Sequence, residues 1–461
     1  MNYRPGKIAF GGEFLPWPAR LCYTPMGPAT GPNRRKGENA MRIMLAGISS
    51  GCGKTTASLA LMAALRGRGM TVAPFKSGPD YIDPGFHALA CGRVCHNLDE
   101  WLCAPRSVAR ILALGSQGAD IAVIEGAMGM YDGLGGGTQC SAYELARHTL
   151  TPIVLVVDAS GSAASAAATA LGFMRYREDN TVAAVLINRA SGPRHYELVR
   201  EAMSKIGLPC VGWLPRDAGL SMPDRHLGLV PAQERPQAAA QIERAAGLLR
   251  LDMEALSAVA KRADCAQAAP MAYPQSLKGR RIGLARDAAF SFTYEASLIA
   301  LRAMGAELAA FSPLSDAALP EGLDALYLPG GFPEVFEARL TANAPMAGAV
   351  RSAVAGGMRC YAECGGMLYL SMIGAIPLRW EMTPRLQRFG YVTVTDGDGL
   401  RFPAHEFHHS IVAPTAPLNT RFEVSKGEKR YREGYLYKNT LAGYPHLHLY
   451  DRPDVAERLF L

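Results

Sequence analysis

Gly47-Ile48-Ser49-Ser50-Gly51-Cys52-Gly53-Lys54-Thr55-Thr56 is the stretch from which the first half of this chain is read. Backbone N–H groups of a glycine-rich loop, continued by a helix N-terminus, form a ready anion site. Lys54 is placed to reach terminal phosphates and Thr55 to hold Mg²⁺, with Gly51, Gly53 and Thr56 completing the cradle. Ile48 stands where the commonest loop of this kind has its first glycine, and Gly47 comes one residue too early. The apolar run Arg42–Gly47 before the loop and the helical pattern after it supply the strand–loop–helix context. The stretch predicts an ATP site with Mg²⁺ as its cofactor.

Working outward, short apolar segments at 72–76, 121–125, 153–158 and 182–188 alternate with stretches long enough for helices, including the Ala-rich run 159–173. That alternation predicts a parallel sheet with helices on both faces. Acidic residues follow the predicted strands, where ligands bind in such sheets. Glu125 ends one strand and Asp132 lies just beyond it. Lys76, Asp80 and Asp83 share the turn-rich Lys76–Pro84 segment. Hard oxygen donors beside phosphates suit Mg²⁺, so Thr55 and Glu125 are candidate metal residues. Lys76, Asp80, Asp83 and Asp132 are candidates for metal or substrate. Asn188, at a later strand end, is a candidate for the adenine edge.

Patterning weakens over 256–279, which reads as a linker between a first domain over 41–255 and a second over 280–461. In the second, Tyr361-Ala362-Glu363-Cys364-Gly365-Gly366 places a cysteine between an apolar strand and a helix start. A helix N-terminus favours the thiolate, which makes Cys364 a candidate nucleophile. His446 is the candidate base, and Gly330 and Gly331 are candidate oxyanion-hole donors through their N–H groups. His405-Glu406-Phe407-His408-His409 formally contains a zinc-protease motif. That chemistry needs a helix, and Pro403 and Pro414 bracket a segment that reads as strand or loop.

At 461 residues the chain exceeds one ordinary core. Its 49% hydrophobic and 19% charged content is that of a globular protein. No apolar run reaches the roughly 18 residues of a membrane span. The formal charge of +7 is concentrated in the first forty residues, with no basic stripe interleaved with aromatics, so neither nucleic acid nor membrane is expected as a partner. Ten cysteines without paired spacing suit a reducing cytoplasm. Residues 1–40, rich in Pro, Gly and Arg, are expected to be a disordered leader, dispensable to a chain beginning at Met41. A homo-oligomer is left open.

From about Met41 onward the chain resembles the cobyrinate a,c-diamide synthase family of corrinoid biosynthesis. The resemblance rests on Ser49–Thr56, Lys76–Pro84, Ile124–Gly129, Ala285–Phe290, Leu328–Glu334, Ala362–Gly366 and His405–His408. It implies two α/β domains: a dethiobiotin synthetase-like P-loop domain, then a class I glutamine amidotransferase domain. It also implies ATP- and glutamine-dependent amidation of the a- and c-acetates of cobyrinate through acyl phosphates, with ammonia released by Cys364 travelling internally. Hydrogenobyrinate and nickel-sirohydrochlorin are alternative macrocycles. A partner-positioning ATPase and a cysteine hydrolase with a regulatory nucleotide domain are more remote readings. Many class I amidotransferases carry His-x-Glu, but position 448 here is His, which leaves the third member of the Cys–His site unnamed. The segment between Leu370 and Arg385 is short for the family.

Overall fold

The computed structural model describes residues 41–461 apart from 221–223, 226–227, 230 and 265–267. The expected leader over 1–40 lies outside the described residues.

The first half is built on seven parallel strands. They are β1 (Met41–Gly47), β2 (Val72–Ser77), β3 (His96–Leu98), β4 (Ile121–Gly129), β5 (Ile153–Asp158), β6 (Val182–Ala190) and β7 (Cys210–Pro215). Their order is β7-β6-β5-β1-β4-β2-β3, with a short antiparallel strand, Arg250–Leu251, at the β7 edge. β1 is central and hydrophobic throughout because both faces are covered. Met44 and Ala46 enter the core on one side, and Ile43 and Leu45 the core on the other. Helix α1 (Lys54–Gly67) starts directly after the phosphate loop and buries most of its Ala and Leu residues. Helix α2 (Asp83–Cys91) begins with a proline in its first turn, where the missing N–H costs nothing.

The second half carries a ten-stranded mixed sheet. Glu307–Phe311, Arg281–Ala285, Ala325–Leu328, Arg359–Glu363 and Thr440–Gly443 run parallel. Lys429–Tyr437, Asn419–Lys426, Arg388–Thr395, Arg401–His408 and His446–Leu447 extend it antiparallel. Of the stretch read as a linker, Leu256–Ala260 is helical, the end of helix Met253–Ala260. Leu256, Val259 and Ala260 are buried in the core of the first sheet.

The halves pack against each other. Tyr391 Oη donates to Asp99 Oδ2 at 2.7 Å, and its ring stacks on Trp101. Asp451 accepts from the Ala104 N–H at 2.9 Å. His448 Nδ1 lies 3.1 Å from Cys103 Sγ. Burial lowers His448 to about 3, so its ring is neutral. His448 is thus an interface residue.

Candidate functional site

The phosphate loop is shaped by backbone geometry. Gly53 lies in the left-handed region, at φ 89° and ψ 26°. A Cβ there would come within 2.1 Å of Asn188 Nδ2, so only glycine fits. Asn188 is buried, and its amide donates to the Cys52 carbonyl at 2.9 Å. It braces β6 against the loop and also lines the cleft, where it was expected to meet the adenine edge. Lys54 Nζ donates to the Ser49 carbonyl at 3.1 Å.

Behind the loop lies a buried charge network. Thr55 Oγ1 donates to Glu125 Oε1 at 2.7 Å, and Lys76 Nζ reaches the same oxygen at 2.8 Å. Lys76 also holds Asp83 Oδ2 at 2.7 Å, with Asp80 at 4.0 Å. His87 Nε2 sits 2.6 Å from Glu125 Oε2. Burial opposes every charge here, and the partners decide the outcome. Asp83 and Glu125 hold the Lys76 ammonium well above its usual range. Lys76 and His87 hold the Glu125 carboxyl well below the carboxylate range. Burial and the neighbouring Asp80 push Asp83 up to about 7 against the pull of Lys76, because one lysine serves several carboxylates. His87 was not singled out in the sequence, although Asp83 and His87 are spaced i, i+4 and share one face of α2.

Asp80 Oδ1 accepts from the N–H groups of Ile82 and Asp83, and the residue lines the cleft. Asp132 is exposed, and its Oδ2 accepts from the Gly129 N–H at 2.9 Å, closing the turn after β4. Among the described residues no cluster of three or more His, Cys, Asp or Glu side chains is arranged to hold a metal by itself. The donors that do face the phosphate loop are the Thr55 hydroxyl and carboxylates, which are hard oxygens. They fit Mg²⁺, an ion that takes much of its shell from phosphates and water.

In the second half Cys364 joins the strand Arg359–Glu363 to the helix Gly365–Met372. Its backbone is strained, at φ 47° and ψ −102°, a departure that clusters at reactive sites. Its N–H donates to the Gly443 carbonyl at 2.7 Å, which pins the turn. The Gly330–Gly331 turn lies against this helix start: a Cβ on Gly365 would sit 2.9 Å from the Gly331 nitrogen. His446 Cε1 would lie 2.6 Å from a Cβ on Gly330, so glycine there admits the imidazole. The sequence-predicted Cys364, His446, Gly330 and Gly331 therefore come together.

The third member, unnamed from sequence, is Glu363. Its Oε1 lies 2.6 Å from His446 Nδ1, and its Oε2 accepts from Tyr361 Oη at 3.0 Å. Burial opposes the imidazolium, but Glu363 and Cys364 together lift His446 to about 10. The available signal was an acidic residue at the end of an otherwise apolar strand. His405 and His408 lie on the strand Arg401–His408, not on a helix. His405 faces the cleft, while His408 stacks flat on Tyr444 at 3.5 Å. Burial holds them neutral, near 3 and 4 respectively.

The phosphate loop and the His446 imidazole of the thiol site share one cleft of about 1490 Å³. Gly51, Gly53, Thr55, Thr56, Asp80 and Asp83 line it from the first half, and His405 and His446 from the second. A phosphate-cradling loop and an acid-oriented Cys–His pair on a shared cleft are the parts of an ATP-dependent ligase that takes its nitrogen from glutamine.

Comparison with known proteins agrees. Residues 43–230 match the CobQ/CobB/MinD/ParA nucleotide binding domain, and residues 281–454 the CobB/CobQ-like glutamine amidotransferase domain. Hydrogenobyrinate a,c-diamide synthase of Streptomyces coelicolor is 39% identical, over 92% of this chain and 97% of its own. Cobyrinate a,c-diamide synthases of Listeria innocua and Dehalococcoides mccartyi are 37% and 39% identical, each over 91% of this chain and over 98% and 97% of their own. The chain belongs to the cobyrinate a,c-diamide synthase family, ligases that form C–N bonds with glutamine as the nitrogen donor.

Among the described residues no helix is long and apolar enough to cross a membrane.

Proposed function

We propose that this chain converts the a- and c-acetate carboxylates of cobyrinate to amides, using ATP and glutamine. The observation that carries the reading is the single cleft reached by both sites. Pockets for ordinary small ligands measure roughly 300–1000 Å³, and this one is larger, with room for a nucleotide beside a macrocycle. In this reading residues 41–255 are the ATP-dependent part and 280–461 the glutaminase, and the protein works in the cytoplasm.

A carboxylate is a poor electrophile, so its oxygen first attacks the γ-phosphorus of ATP, giving an acyl phosphate and ADP. Lys54 and the loop N–H groups stabilise the charge on the phosphates. Mg²⁺, when bound, neutralises phosphate charge. Thr55 and Glu125 would hold it, while Lys76 and His87 keep Glu125 ionised and oriented. Asp80, Asp83 and Asp132 orient the substrate edge.

At the second site the Cys364 thiolate attacks the glutamine amide carbon. The Gly330 and Gly331 N–H groups face the developing oxyanion. His446, held by Glu363, protonates the departing nitrogen, leaving a thioester and free ammonia. Water then attacks the thioester with His446 as base, releasing glutamate. Ammonia adds to the acyl phosphate and expels phosphate, forming the amide, and the cycle repeats on the second acetate.

The names of the relatives divide between cobyrinate and hydrogenobyrinate. The test is mass spectrometry of cobyrinate, hydrogenobyrinate and nickel-sirohydrochlorin, each incubated with the protein, ATP, Mg²⁺ and glutamine. Two successive acid-to-amide conversions are expected on cobyrinate, and their absence on every macrocycle would refute the reading.

A further inference from the structure

We propose that Arg388, Glu406 and His408 form the seat for the α-carboxylate and α-ammonium of glutamine, on the side of their strands turned away from the cleft. The inference rests on the glutaminase reading given above and assigns residues that it leaves without a role, two of them from the His405–His408 motif.

The strands Arg388–Thr395 and Arg401–His408 pair antiparallel, with Arg388 opposite His408 and Gly390 opposite Glu406. Successive side chains on a strand point to opposite faces. Phe389, Tyr391, His405 and Phe407 line the cleft, so Arg388, Glu406 and His408 share the other face. Gly390 places no side chain opposite Glu406.

Three groups on that face have unused hydrogen-bonding capacity. Glu406 is 1% exposed. Its Oε2 accepts from Tyr431 Oη, but its Oε1 is buried with no partner. His408 Nδ1 lies 2.8 Å from the Ser410 carbonyl, which can only accept, so Nδ1 carries the proton of the neutral ring. Nε2 is then an acceptor, and it too is buried with no partner. Arg388 is half-buried, its guanidinium carbon 3.4 Å from the centre of the Tyr431 ring. Its charge favours an ionised Glu406, yet among the described residues the two make no ion pair.

A buried acceptor without a donor is destabilising. Here two acceptors lack a donor, and the guanidinium fork beside them lacks a carboxylate. A single ligand carrying both an ammonium and a carboxylate answers all three, and a guanidinium takes a carboxylate at two points. An α-amino acid is such a ligand.

The seat adjoins the thiol. The Cys364 N–H donates to the Gly443 carbonyl at 2.7 Å. The next residue, Tyr444, stacks on His408 with planes 4° from parallel. His405, the neighbour of Glu406, is in register with His446. Cys364 is not among the residues that line the cleft. An amino acid held here by its head group extends its side-chain amide toward Cys364 without crossing the cleft.

The test is steady-state amide hydrolysis by the full chain with ATP and Mg²⁺, read as ammonia released. Three amides are compared. They are glutamine, glutaric acid monoamide, which lacks the α-ammonium, and γ-aminobutyramide, which lacks the α-carboxylate. The wild type is expected to show a kcat/KM for glutamine about 30-fold or more above either truncated amide. Glu406→Gln should lose the preference over glutaric acid monoamide and keep that over γ-aminobutyramide. Arg388→Met should do the reverse. A merely structural role would not produce this crossed pattern. Equal losses on all three amides, or unchanged preferences, in either variant overturn the assignment. A wild type that hydrolyses the truncated amides as well as glutamine overturns it whatever the variants do, including when a variant fails to fold. A wild type that hydrolyses glutamine but amidates no macrocycle refutes the proposed function alone.

Discussion

Glu363 Oε1 lies 2.6 Å from His446 Nδ1, joining residues that are 83 positions apart in the chain. The contact completes an acid–base–thiol arrangement in which the acid immediately precedes the nucleophile in sequence. Strand and turn direct the two side chains differently, so neighbours in sequence reach the imidazole from separate sides. Burial leaves the carboxylate no solvent to compete for the ring, which is what holds it in one orientation.

Glu363→Gln should therefore cripple glutamine use. His446 is raised to about 10, with Glu363 the leading cause of the rise against burial. Without that carboxylate the imidazolium loses its leading support and only Cys364 is left to favour it. Glutamine hydrolysis should fall on the order of 100-fold or more, while ammonia-supported amidation persists. Steady-state glutaminase rates check this, and an unchanged rate would remove Glu363 from the site.

The same pair gives a signed pH dependence of stability. A histidine raised by its partners stabilises the fold fully below its ordinary value of 6.5, and that contribution is lost as pH rises through about 10. Breaking a buried pair costs roughly 3–5 kcal/mol. Urea unfolding of the wild type and Glu363→Gln should differ by that order below 6.5, and the gap should narrow toward 10. A gap that widens with pH would contradict the sign.

Cys364→Ser removes the thiolate from a turn whose backbone is set by its own hydrogen bonds. Glutamine-dependent amidation should vanish, and free ammonia at high concentration should still support it. Loss of both in a folded variant would show that Cys364 does more than hydrolyse glutamine.

Glu125→Gln strips the charge that balances Lys76 and orients Thr55. Amidation with either nitrogen donor should drop by about 100-fold or more. The melting temperature should also fall, because Lys76 keeps only Asp83 and the more distant Asp80 as partners. Unchanged turnover at limiting Mg²⁺ would exclude Glu125 from the phosphate chemistry.

Asp83 lines the cleft and is pushed up to about 7 by burial and Asp80, so its ionisation falls near neutrality. Asp83→Asn should impair macrocycle amidation far more than glutamine hydrolysis measured alone. It should also flatten the pH dependence of ammonia-supported amidation around 7. Equal damage to both reactions would misplace the substrate.

What the sequence determined by itself is whatever depends on adjacent residues. Gly53 at its left-handed φ, the apolar β1 before it and the α1 start after it are set by backbone sterics within a dozen positions, so the phosphate site was legible. The same holds for Cys364, because a strand, a nucleophile and two glycines form one local turn. Glu363 and His87 were not singled out, because each takes its meaning from a partner that only folding delivers. His446 reaches Glu363 from a short strand added beside Arg401–His408, and His448, two residues on, turns away to meet Cys103 across the domain interface. Asn188 and Asp132 likewise acquired bracing contacts invisible in the primary structure. Strand order and the docking of one half on the other are set by burial summed over whole faces, and no short motif encodes that sum. It alone decided that two separate chemistries would meet at one cleft.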